Sequence, residues 1–146
     1  MITDMKFQLI TLNGFTYDDE AYSVVLPTAD GEITVLGQHE PLMSALKHGV
    51  ITIRKNASDP ENRLDHYATY GGVLEVTKDA VRVLVDEADS SDDINEQEAK
   101  RAHEAAQQLV AKAQNQVDLE HAQSIVDRHA VRLRVAEVRR RHNRQR

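Results

Sequence analysis

After Gly72 the chain contains neither glycine nor proline, and near residue 88 its apolar residues change period. Before that point they recur every second residue; after residue 90 they recur at mostly three- or four-residue steps. A period of two belongs to half-buried strands and a period near 3.6 to helices. The chain therefore reads as a sheet followed by helices. The expected architecture is an N-terminal antiparallel β-sandwich over residues 1–88 and a C-terminal α-helical hairpin over residues 89–146.

The alternation is clearest where Phe7, Leu9 and Thr11 face away from Gln8 and Ile10, and where Tyr22, Val24 and Leu26 share a face. Further strand patterns run through Gly31–Leu36, Val50–Arg54, Leu64–Tyr70, Val73–Val76 and Ala80–Val85. Asn13-Gly14, Asp30-Gly31, Gly71-Gly72 and Lys78-Asp79 punctuate them, and residues 56–63 form a polar loop. Strands this short and this closely spaced predict a sandwich or flattened barrel of about ten strands.

In the helical part, Ile94, Ala99, Ala102, Ala106, Leu109, Ala113 and Val117 form one stripe. Leu119, Ala122, Val126, Ala130, Leu133 and Ala136 form a second. Asp93 with Glu96 predicts a capping box for the first helix, and Asp118 an N-cap for the second. The first stripe is mostly alanine, which buries little apolar area, at about 0.8 kcal/mol per CH₂. The expectation is a hairpin docked weakly on the sandwich through those alanines and released easily.

Charge is divided as unevenly as structure. Residues 1–88 carry 7 basic and 14 acidic side chains, residues 89–120 carry 3 and 8, and residues 121–146 carry 8 and 2. All eight of the last basic residues are arginines. Such a basic end suits an acidic partner surface.

The chemistry available is limited. There is no cysteine, so thiolate nucleophiles, disulfides and thiolate metal sites are excluded. No two of the seven histidines stand three or four residues apart, and neither GxxxxGK[ST], GxGxxG nor GxSxG occurs. No metal or cofactor is expected. A net charge of −6, no tryptophan and 4% aromatic residues argue against a base-stacking nucleic-acid surface. No apolar run reaches the roughly 20 residues needed to span a bilayer. Residues 1–6 have neither a signal-peptide nor a transit-peptide pattern. An interaction or regulatory protein is the expectation, ahead of an enzyme.

One stretch narrows this further: Gly31-Glu32-Ile33, then His39-Glu40-Pro41-Leu42, Ala45-Leu46 and Gly49, then the strand from Val50. Tyr67–Val76 with its central Gly71-Gly72, Val81–Ala88, and Leu133–Val138 follow in order. This series resembles the epsilon subunit of F-type rotary ATP synthases over essentially the whole chain. Thr34 stands where that family often has glycine, and Gly37 near a family proline.

The resemblance implies a non-catalytic rotor subunit of the central stalk. Its partners would be the gamma subunit, the c-ring and the beta subunit of a proton-translocating synthase. It would lie on the cytoplasmic face of a bacterial plasma membrane and meet that membrane only through the complex. Its C-terminal helices would inhibit ATP hydrolysis when extended. By alignment, Glu32 falls near the c-ring contact and His39 near gamma. Arg128, Arg132, Arg139, Arg140 and Arg141 would approach an acidic segment of the beta subunit. Read as residues alone, Glu32 is equally a solvated strand carboxylate, His39 a turn cap and the arginine run a frayed terminus. Some members bind ATP through an I-D-x-x-R-A pattern. Here it reads Ile94-Asn95-Glu96-Gln97-Glu98-Ala99, with Asn95 replacing the acid and Glu98 the arginine. A carboxylate where a cation should meet phosphate predicts no nucleotide site.

Overall fold

The computed structural model describes residues 4–144. Eight strands form one continuous sheet: β1 (Met5–Thr11), β2 (Gly14–Ala21), β3 (Ser23–Thr28), β4 (Gly31–Leu36), β5 (Leu42–Arg54), β6 (Asp65–Val76), β7 (Ala80–Leu84) and β8 (Ala88–Ser90). Their order is β2-β1-β7-β6-β5-β3-β4, with β8 also on β6. All pairings are antiparallel except β1 with β7, which run parallel from Lys6↔Ala80 to Ile10↔Leu84.

Among the described residues there are eight strands rather than about ten, because β5 and β6 run unbroken for 13 and 12 residues. β5 includes Leu42–Gly49, which carries no clean alternation, and β6 continues through Gly71-Gly72. These two strands build the sandwich. The C-terminal part of β6 pairs with β7 through residues 73–76, and its N-terminal part with β8 through 67–69. β5 likewise pairs with β6 along its length and with β3 mainly at its C-terminal end. One layer is thus completed by β2, β1 and β7, the other by β3, β4 and β8. Alternate residues from both layers meet in the core, with Phe7, Leu9, Leu26, Ile51, Ile53 and Leu74 fully buried.

Gly72 sits where β6 changes layers. Its φ is +152°, and a Cβ there would lie 2.3 Å from the Leu84 carbonyl oxygen and 2.7 Å from Val85 Cγ1. Backbone cannot yield as a flexible side chain can, so Gly72→Ala should cost about 2–4 kcal/mol. Urea unfolding should show a lower midpoint at unchanged slope. An unchanged midpoint would mean that β6 and β7 part freely at this point.

Two helices follow, α1 (Glu96–Lys112) and α2 (Gln116–Arg144). Both start on asparagine rather than on the expected acids. Asn95 Oδ1 accepts from the Glu98 amide at 3.0 Å, and Asn115 Oδ1 accepts from the Asp118 amide at 2.8 Å. Asp93 instead lies in the turn before the helix, its amide bonded to the Ser90 carbonyl at 3.0 Å. Asp118 lies in the first turn of α2, where its negative charge favours the helix N-terminus.

The docking geometry also differs from the expectation. α1 packs along α2, and α2 packs on β5, β6 and the short 3₁₀ turn at Glu61–Arg63. Ala99 and Ala106 are buried, but the side chains that seat α2 are Val131, Val135 and Ala136, against Ala68, Ile94 and Ala99. The far end of the hairpin leaves Leu109 and Val117 exposed.

Candidate functional site: the seam between helix and sandwich

α2 presents two working faces. Ala122 and Ala136 belong to the expected stripe. A second row, Arg128, Val131, Val135, Arg139 and His142, follows at steps of three and four residues. Such spacing places all five on one side of a helix. That side meets the sandwich and the segment between β7 and α1.

The segment and the first residue of α1 supply carboxylates in matching order. Arg128 pairs with Glu87. Arg132 Nε lies 3.6 Å from Asp89. Arg139 Nη1 donates to the Ser91 and Asp92 carbonyls at 3.0 Å each, and its Nε lies 3.5 Å from the Asp92 carboxylate. Arg140 Nη1 reaches Glu96 at 2.8 Å. The result is a ladder of arginine–carboxylate rungs running along the helix. Each rung is partly solvated, and such pairs are worth roughly 0–1 kcal/mol apiece.

Tyr70 of β6 ties two rungs together. Its hydroxyl donates to Asp89, and the Arg128 guanidinium lies 4.2 Å from its ring centroid. A cation over an aromatic face adds about 0.5–2 kcal/mol, more as water is excluded. Burial first, then Asp89, holds the Tyr70 phenol above its ordinary pKa, so it remains a donor.

The structure thus gathers Arg128, Arg132, Arg139 and Arg140 into one seam. Arg141 points to solvent and has no ion pair among the described residues. Glu32 and His39 lie elsewhere. Glu32 is exposed on β4, a strand at the edge of the sheet, opposite Pro27. His39 lies in the turn between β4 and β5, with its amide bonded to the Leu36 carbonyl at 3.2 Å. Its Nδ1 donates to the Glu40 carbonyl at 2.7 Å. Gln38 takes the left-handed conformation that shapes this turn, with φ of 63°. Asn95 and Glu98, which interrupt the nucleotide pattern, are joined in the α1 cap.

A second surface was not evident from the sequence. Phe15, Ile10, Leu84, Val73 and Ala45 occupy consecutive registered positions across β2, β1, β7, β6 and β5. Phe15, Val73 and Leu84 are 61, 46 and 46% exposed, and Leu12 beside them is 82% exposed. They line the outer face of the layer, next to a cavity of about 420 Å³ that also contacts Gly71 and Val85. A contiguous exposed apolar strip of this kind marks an interaction surface.

Sandwich, docked helical pair and outer apolar strip define a contact-making subunit. A family description, ATP synthase delta/epsilon chain, β-sandwich domain, matches residues 4–91. The ATP synthase epsilon chain of Herpetosiphon aurantiacus is 33% identical, covering 93% of this chain and 96% of its own. That of Gloeobacter violaceus is 31% identical, covering 90% and 96%. The fold is also that of a chain in the mitochondrial ATP synthase of Euglena gracilis, with a TM-score of 0.77 at 18% identity, covering 89% of this chain and 80% of that one. The chain belongs to the ATP synthase delta/epsilon-chain family, in which the epsilon chain is a non-catalytic stalk subunit. Among the described residues, no helix is long and apolar enough to cross a membrane.

Proposed function

We propose that this chain is a rotor subunit of a proton-translocating F-type ATP synthase. Its sandwich couples c-ring rotation to synthesis through gamma, and its C-terminal helices brake ATP hydrolysis at the beta subunit. The observation that carries this reading is the composition of the seam. A small apolar cluster and a row of partly solvated ion pairs hold α2, so docking is reversible. The same arginines can exchange their intramolecular carboxylates for those of a partner, since guanidinium pairs with any suitably placed carboxylate.

The outer apolar strip supports gamma as the partner of the sandwich, because rotor coupling needs a contact that does not release. Exposed Glu32 and the half-buried His39 lie at separate points of the same sandwich, available to the c-ring and to gamma. The bacterial epsilon chains among the relatives support a place on the cytoplasmic face of a bacterial plasma membrane. The capping role of Asn95 supports the reading that no nucleotide binds at the start of α1.

The test is hydrolysis by the cognate catalytic head with gamma, supplied with the full chain or a chain ending at Asp93. That end point preserves β8, which pairs with β6 through residues 88–90. Both should bind, and only the full chain should suppress hydrolysis, by several-fold. Equal suppression by the shorter chain would remove the helices as the brake. Failure of both to bind would overturn the rotor reading.

A further inference from the structure

His66 is buried where the hairpin packs on the sandwich, His129 is half-buried on α2, and neither contributes to the arginine ladder. His66 of β6 is only 7% exposed, and its ring centroid is 5.4 Å from that of His142 on the last turns of α2. Its Nδ1 is hydrogen-bonded to Thr52 Oγ1 at 3.1 Å, and its Nε2 is buried without a hydrogen-bond partner. A cavity of about 240 Å³ between β6 and α2 brings Arg63, Asp65, Asp92, Arg139 and His142 around it. Glu61 of the 3₁₀ turn is the nearby acid that favours its charged form.

His129 of α2 is the second. Its Nδ1 is buried without a hydrogen-bond partner. Arg128 and Arg132 of its own helix and His103 of α1 disfavour a charge on its ring.

From this geometry we infer that docking of the hairpin is pH-sensitive: acid places charge on His66 beneath the end of α2 and on His129 between the arginines, and releases α2 from the sandwich. Burial, then His142, lowers the His66 pKa; burial, then Arg132, Arg128 and His103, lowers that of His129. The sign follows from proton linkage. Above the ordinary histidine value of about 6.5, both rings are neutral whether docked or released, and docking has its full strength. Below it the released form takes up protons that the docked form resists, so docking weakens as pH falls toward the lowered docked values. Asp65 acts in the opposite sense. Burial raises its pKa, so its protonation favours the docked form in acid.

The latch belongs to the chain itself; its effect on hydrolysis rests on the reading above. It is measurable without partners. The absence of native cysteine lets Thr16→Cys and Arg134→Cys, both exposed, carry a nitroxide pair on β2 and α2. Pulsed electron paramagnetic resonance would record docked and released distances at pH 7.5 and 5.5 and fixed ionic strength. Released chains should increase by up to about tenfold at pH 5.5 for each histidine that stays neutral while docked. His66→Gln, His142→Gln and His129→Gln together should flatten this response, and Asp65→Asn alone should steepen it. If the triple variant does not fold, the pair His142→Gln and His129→Gln, which keeps His66, should reduce the response. No rise in the native chain, or an equal rise in the histidine variants, would overturn the latch and leave the rotor reading standing.

Discussion

Val135→Asp should release α2 from the sandwich while the sandwich stays folded. Val135 is fully buried between Val131, Ala136 and the cluster around Ala68 and Ile94. A carboxylate placed there without a partner costs several kcal/mol even after local relaxation, more than an unpaired neutral polar group. That exceeds what a few solvated ion pairs return, so the hairpin gives way before the charge is buried. The main core is a separate cluster that Val135 does not enter, so its unfolding midpoint should stay near that of the native chain. Hydrogen exchange should show lost protection throughout α2 with β1, β5 and β7 unaffected. Val135→Ala should act in the same direction, more weakly. If the extended hairpin is the brake, Val135→Asp should also deepen inhibition in the assembled complex. Retained protection in α2 would show that the ladder, not the apolar cluster, holds the seam.

Reversing Arg139, Arg140 and Arg141 to Glu should separate docking from inhibition. In the docked form Arg139 and Arg140 face Asp92 and Glu96, so reversal replaces attraction by repulsion and favours release. Release alone would increase inhibition. If the arginines grip an acidic partner segment, the variant should instead lose most of its inhibition although its hairpin is free. Arg141→Glu alone is the cleaner probe. Arg141 is exposed and has no ion pair among the described residues, so docking should be unchanged while inhibition falls. Full inhibition by the triple variant would make the run a solvated helix end, where cations are favoured without any partner.

Sequence periodicity identified the strands wherever one face is buried and the other is wet. Phe7 and Leu9 are fully buried and Gln8 is not. It missed β5 before Val50, because Met43, Ala45, Lys47 and His48 stay exposed while Leu46 is the one buried apolar side chain there. The second helix was legible as a helix but not in its docking face. Of the expected stripe, Leu119 stays exposed and Ala136 joins the buried cluster, whose larger members on α2, Val131 and Val135, sit among arginines that read as surface. With apolar residues on two sides, no single stripe marks the buried one.

The resemblance rested on motifs spread along the chain, and the family match bears it out. The ladder could not be read in the same way. Arg128 and Glu87 are 41 residues apart, and Arg139 and Ser91 are 48 apart. Charge composition shows that arginines and carboxylates are present, and helical spacing shows that Arg128, Arg132 and Arg139 share a side. Neither shows which carboxylates will be near.

The order of strands followed by helices, the absence of thiol chemistry and the family were determined by the sequence, because each depends on residue identity or on neighbours a few positions away. The shared layers of β5 and β6, the asparagine caps, the outer apolar strip and the intramolecular pairing of the arginines were decided by the tertiary structure. Each requires distant segments to come within a few ångströms. Contact energies fall off over that distance, and the order of residues along the chain does not measure it.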